Sequence, residues 1–235
     1  MSSPIRSSRR EPDSRRARPA KAPLSRTAIV DAALIVIERD GERQLSMRRL
    51  ADELDTGAAS LYVYVRNTTH LKALILDRLL TELDVAWNGD ELACDRLCRL
   101  LTEYTDLLID HPAIIQSALH IWPDGPRYLD IVELLLRLLM AAGVSSTEHA
   151  AWAVDLLLQH ATACAVEWSH RSTTGEQSIG DLVTILNEAD PRRHPTLHSL
   201  GPSVFTAGNP DEHRHWNIRM IVSAVLRQAI STQPI

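Results

Sequence analysis

Residues 45–67, LSMRRLADELDTGAASLYVYVRN, decide how the rest of the chain is read. Ser46 carries the hydroxyl of a helix N-cap, and Met47, Leu50, Ala51 and Leu54 follow at the spacing of one helical face. Gly57 ends this short helix. The next segment, 58–65, places Ala58, Leu61, Tyr62 and Val65 on one side and Ala59, Ser60, Val63 and Tyr64 on the other. Two short helices joined by a tight turn, the second showing small and polar side chains outward, form a helix-turn-helix. A helix entering a DNA major groove needs small side chains for close approach and polar ones for base edges and phosphates. Ala59, Ser60 and Tyr64 supply that face, with Arg48 and Arg49 at the start of the preceding helix. The pattern also fits an ordinary bundle whose outer face meets water, so the flanking sequence has to discriminate.

Upstream, Ile29, Ala32, Ala33, Val36 and Ile37 keep helical spacing between a Ser25 cap and Gly41. Downstream, Asn67 caps a long helix through Leu71, Leu74, Ile75 and Leu79 towards Trp87. Further helices are expected over 91–110, 112–120, 126–142 and 147–170, with breaks at Pro112, the Pro123-Asp124-Gly125-Pro126 cluster and Gly143. The polar segment 171–178 reads as a loop, 179–189 as another helix, and 216–230 as the last, after a stretch interrupted by Pro191, Pro195, Pro202 and Pro210. One Phe and four Tyr beside abundant Leu and Ala favour helices over sheets, so the expected fold class is all-α.

At 235 residues and 45% hydrophobic, the chain is long enough for one or two domains with cores that need no staples. No apolar run reaches the length of a membrane span, since even IVELLLRLLMAAGV carries Glu133 and Arg137. The first residues lack the apolar stretch of a secretory signal, and three cysteines without CxxC spacing suit a reducing compartment. A cytoplasmic location is expected.

The net charge of -5 is unevenly distributed. Residues 1–72 hold 14 Lys/Arg against 9 Asp/Glu, and the remainder holds 11 against 21. A basic end on an acidic body suggests that one end meets a polyanion. Residues 1–23 mix seven Arg/Lys with Ser and Pro and almost no large apolar side chains, the composition of a disordered basic tail. Such a tail either follows DNA phosphates or is a solvated leader. The expected organisation is this tail, a helix-turn-helix domain over 24–70, and a helical domain over 71–235.

Over residues 25–83 the sequence resembles the TetR family of bacterial repressors, in the order of its first helix, the helix ending in RRLADEL, the turn, the segment ending in SLYVYVRN, and the fourth helix. It is similar to the tetracycline-repressor branch through LYVYVRN, HPAIIQSALHIWPDGPRYLD and the Gly143-Val144 turn, a similarity that fades after about residue 145. The resemblance implies a homodimer whose recognition helices read two half-sites of a pseudo-palindromic double-stranded operator, released by a small molecule held in the C-terminal domain, which makes 71–235 the effector-binding and dimerisation domain. By position, it implies that Arg48 reaches a base edge, Ser46 and Tyr62 touch phosphates, and Ala59, Ser60 and Tyr64 face the groove, with Arg49 beside them. Thr68 stands where the family usually has a lysine, so that phosphate contact passes to Arg66 or Lys72.

His120 falls where tetracycline-binding members place a histidine, but Leu135 replaces their drug-contacting glutamine, which disfavours tetracycline itself. The expected pocket wall is Tyr104, Gln116, His120, Trp122, Gln159 and Trp168, suited to an aromatic, weakly polar compound. Each of these side chains could equally be core with its polar atom satisfied. Between Asp155 and Glu167 no charge occurs, so that helix is buried by the core or by a second copy, and Trp216, Met220, Val222 and Val225 pose the same choice. The resemblance favours a four-helix interface between two copies.

No metal site or cofactor is expected. His194 and His198 are four apart, but Pro195 disfavours the regular helix that would align them, and Cys94 and Cys98 read as small buried hydrophobes. Enzyme motifs such as GxSxG, HExxH or a P-loop are missing from the sequence, so an all-α enzyme is the weaker alternative. The other is a helical DNA-binding regulator without a small-molecule effector.

Overall fold

The computed structural model describes residues 23–206 and 209–231, so the expectation for the basic tail falls, except for Pro23, outside the described residues. All regular structure among them is helical. Helix α1 (Arg26–Asp40) begins where the Ser25 hydroxyl accepts the Ala28 N–H at 3.1 Å, and ends at Gly41, whose φ of 85° few other residues adopt. Helix α2 (Met47–Glu53) has Ser46 as its cap, accepting the Arg49 N–H at 3.2 Å. Leu61, Val65 and Leu71 are fully buried against Ile29, Ala33 and Val36, which sets the three short N-terminal helices around one core.

Helix α3 (Ala58–Leu61) is shorter than the expected 58–65. The N–H groups of Tyr64 and Val65 both turn back to the Leu61 carbonyl at 2.9 Å, and the β-branched Val63 and Val65 pack poorly in a helix interior. Helix α4 (Thr68–Leu79), capped by Asn67 Oδ1 on the His70 N–H at 2.8 Å, also stops earlier than expected. A single tight turn follows to Glu82. Two guanidinium groups take carbonyls that a longer helix would use for itself. Arg127 donates to Leu80 O at 3.3 Å and Leu83 O at 2.7 Å, and the fully buried Arg96 donates to Asp84 O at 2.6 Å.

The larger body contains α5 (Ala93–Asp110), α6 (Pro112–Ala118), α7 (Pro126–Ala141) and α8 (Thr147–Asn187), followed by α9 (Pro195–Leu200), α10 (Ser203–Thr206) and α11 (Pro210–Ser231). Helix α8 continues through 171–178, where a loop was expected. That polar stretch has no proline, and the serine, threonine and glycine within it each cost a helix at most about 1 kcal/mol relative to alanine. Helix α11 starts six residues before the expected 216, because Pro210 occupies a first-turn position whose missing N–H is not needed. Asn209 Oδ1 accepts the Asp211 N–H there at 2.9 Å.

Helices α5 and α8 form the centre of this body, with Leu97, Leu101 and Leu108 against Leu157, Ala161 and Ala165, all buried. Each such leucine contributes roughly 1.5–3 kcal/mol by leaving water. Leu135 is fully buried in the same core. No helix among the described residues is long and apolar enough to cross a membrane.

Candidate nucleic-acid interface and effector cavity

At the N-terminal end, Ser46, Arg48, Arg49, Ala59, Ser60 and Tyr62 are exposed together on α2, α3 and the following turn. Tyr64 is half-buried and packs on the core. The two arginines differ. Arg49 reaches Asp40 at 2.9 Å, inside a network in which Arg39 also holds Asp40 and Glu53. Hydrogen bonds from Arg39 and then Arg49 bring the Asp40 carboxyl down to about 2. Arg48 has no such partner among the described residues, so its guanidinium is free to reach outward.

The two cations offered for the missing helix-four lysine are both engaged with the body. Lys72 Nζ lies 2.7 Å from Glu42 Oε1 and donates to Ser117 Oγ at 3.1 Å, while Ser117 also donates to Glu42. These three residues come from the turn after α1, from α4 and from α6. Arg66 pairs with Asp124 at 3.0 Å. His70 Nδ1 accepts the Arg66 N–H at 3.0 Å while its Nε2 stands 3.5 Å from Asp124. Burial lowers the His70 pKa, with Asp124 acting in the other direction, and the accepting Nδ1 is that of a neutral ring.

The Trp122–Tyr128 segment therefore clasps α4. Asp124 meets Arg66 and His70, Asp77 accepts the Tyr128 N–H at 2.8 Å, and Arg127 holds the end of α4. Gly125 permits this approach, since a Cβ there would collide with the Asp77 carboxyl.

Behind the segment lies a cavity of about 380 Å³ between α5, α6, α7 and α8. Tyr104, Trp122 and Gln159 line it, together with Ile121, Tyr128, Asp155, Leu158 and Thr162. Gln116 and His120 are exposed and are not among its lining residues. Trp168 is not among them either, and its ring meets His213 edge-on at 5.6 Å. Deep in the wall, Tyr104 Oη and Thr162 Oγ1 share a hydrogen bond at 2.9 Å. At the mouth, Trp122 and Tyr128 meet edge to face at 6.2 Å. Burial, then Tyr104 and Asp155, push the Tyr128 phenol up to about 12, so it stays neutral at physiological pH.

Reasoning from sequence missed Tyr128, Thr162 and Asp155. The last had a readable signal, because Asp155, Gln159 and Thr162 repeat at helical spacing on one face. A second concavity, of about 550 Å³, opens between α8 and α11 and is lined by His149, Trp152, Leu156, Ile221 and Val225. Among the described residues no three His, Cys, Asp or Glu side chains are grouped to hold a metal ion. Burial pushes the Cys98 thiol up to about 11, which leaves it protonated and unreactive.

An exposed helix-turn-helix on an all-α body that holds a cavity is the architecture of a helix-turn-helix transcriptional regulator. Residues 89–223 match the tetracyclin repressor-like C-terminal domain, and the chain belongs to the TetR family of transcriptional regulators, which are not enzymes. It is 31% identical to an HTH-type transcriptional regulator of Saccharopolyspora erythraea over 66% of both chains. Curated relatives are matched over 66% and 50% of their own lengths. A crystallised Streptomyces transcription regulator, SCO7704, is 39% identical with a TM-score of 0.70, covering 92% of this chain and 98% of that one. ActR of Streptomyces coelicolor is 30% identical with a TM-score of 0.78, covering 88% of this chain and 99% of ActR, and has been crystallised with actinorhodin and with (S)-DNPA.

Proposed function

We propose that the protein is a ligand-responsive repressor that binds a palindromic operator as a homodimer and releases it when a small aromatic molecule occupies the 380 Å³ cavity. One observation carries this reading: the segment that walls the cavity is the segment that grips α4. Trp122, Pro123 and Tyr128 line the space, while Asp124 and the Tyr128 N–H hold Arg66, His70 and Asp77. A ligand displacing Trp122 would shift α4 and with it the recognition helix, as a rigid-body movement. It must bind the released state more tightly than the DNA-bound one, since only differential affinity moves the equilibrium.

DNA contact is assigned to Arg48 for a base edge, to Ser46 and Tyr62 for phosphates, and to Ala59 and Ser60 for close approach. Dimerisation is assigned to the α8–α11 face, where the exposed large apolar side chains Trp152 and Leu156 line one concavity. ActR, similar over 99% of its length and crystallised with ligands, supports an effector role for the body. Selection of bound DNA from a random pool tests the proposal. A palindromic consensus is expected, and a non-palindromic one, or no enrichment, would refute the dimeric operator-binding role.

A further inference from the structure

The cavity carries one fixed charge. Asp155 is the sole carboxylate among its lining residues, and no lysine, arginine or histidine lines it. Gln159 Nε2 donates to Asp155 Oδ2 at 2.6 Å, which orients the carboxylate and leaves Oδ1 for another donor. No cation among the described residues pairs with Asp155. The same cavity is lined by the rings of Trp122, Tyr128 and Tyr104, and such π-systems attract positive charge. At the deep end the Tyr104 and Thr162 hydroxyls bond each other and carry no charge, whereas the open end is acidic and aromatic.

We propose that the cavity selects an aromatic cation: a planar ring system for the interior, bearing a protonated or quaternary amine that lies against Asp155 and the Trp122–Tyr128 pair. This rests on the cavity being the effector site and specifies the ligand's charge. An anionic ligand of the same shape would bring its charge beside the exposed Asp155 carboxylate, which no cation among the described residues pairs, and like charges repel. A neutral one would forgo both the ion pair and the cation–π contact.

Calorimetric titration of the full-length chain with three anthracene probes tests the assignment: anthracenylmethyl-trimethylammonium, anthracenemethanol and anthracene carboxylate. The ammonium is expected to bind about tenfold tighter than the alcohol, and the carboxylate weakest. Asp155→Asn should bring the ammonium to within about threefold of the alcohol and leave the alcohol's own affinity unchanged. Ala163→Trp, which fills the cavity from α8, should weaken all three. If the probes bind without regard to charge, or the carboxylate binds best, and Ala163→Trp still weakens them, the cation preference is overturned while the cavity stands as the site. If none binds, or Ala163→Trp changes nothing, the cavity assignment falls and the charge inference with it.

Discussion

The Asp77 carboxylate accepts the Tyr128 backbone N–H at 2.8 Å, so a residue late in α4 serves as the N-terminal cap of α7. Gly125, at the position where a helix usually supplies its own capping side chain, has none and leaves the space that Asp77 fills. One hydrogen bond thereby joins the helix that carries the DNA-reading end to the helix that forms the cavity wall.

This contact has a pH signature. Burial raises the Asp77 carboxyl above its ordinary value, and the N–H groups of Tyr128 and Arg127 only partly reverse the shift. Because the folded value lies above the unfolded one, Asp77's contribution is fully present below the unfolded carboxylate pKa and is lost as pH rises through the folded value. Asp77→Asn is therefore expected to flatten stability against pH across the carboxylate range and to cost nothing at neutral pH. Asp77→Ala should cost about 1 kcal/mol through the lost cap. Urea melts at a series of pH values check both, and an Asn variant less stable than the parent at neutral pH would contradict the account.

Gly125→Ala should be worse than the loss of the cap alone. Its Cβ would collide with the Asp77 carboxyl, and the resulting displacement is expected to cost about 1–3 kcal/mol. A thermal melt unchanged from the parent would mean that the Trp122–Tyr128 segment adjusts freely.

Arg48→Ala should relax sequence preference at one symmetric pair of operator positions, by roughly 1–3 kcal/mol. Lys72→Ala, by contrast, removes the partner of Glu42 and is expected to lower stability with no change in the salt dependence of binding. A salt slope shallower by about 0.9 per protomer in the lysine variant would place Lys72 on a phosphate instead.

Trp122→Ala should blunt ligand-induced release from the operator while leaving operator affinity nearly intact, because the ring lines the cavity and is 64% exposed. His120→Ala is expected to change neither. Fluorescence anisotropy of labelled operator, with and without effector, separates the two, and a normal response from the tryptophan variant would move the site elsewhere.

Leu156→Glu should break the proposed dimer. The side chain is 46% exposed beside Trp152 on the α8–α11 face, and a carboxylate from each copy would be desolvated in the joint. Sedimentation should show monomers, and a variant that stays dimeric would assign the interface to another surface.

Much of this was legible in the chain. Capping hydroxyls at Ser25 and Ser46, the amide of Asn67 and the spacing of Ile29, Ala33, Val36 and Leu50 are local signals, and local signals report helix starts and buried faces. Helix ends were less legible. Where α4 stops depends on Arg127, more than forty residues away, and the continuity of α8 through its polar stretch has no marker except the lack of proline.

The sequence by itself determined that the chain is all-α, that its N-terminal end is a helix-turn-helix, and that Arg48 and the small residues of α3 face outward. Periodicity and capping act over a few residues and are written where they act. Only the tertiary structure decided which polar side chains meet. It sent Lys72 to Glu42, turned Arg66 to Asp124, left Gln116 and His120 outside the cavity, and brought Tyr128 and Asp155 into its wall. Those outcomes depend on how α4, α6, α7 and α8 pack. A contact between residues fifty positions apart is set by the shape of the shared core, and no window of neighbouring residues contains that information.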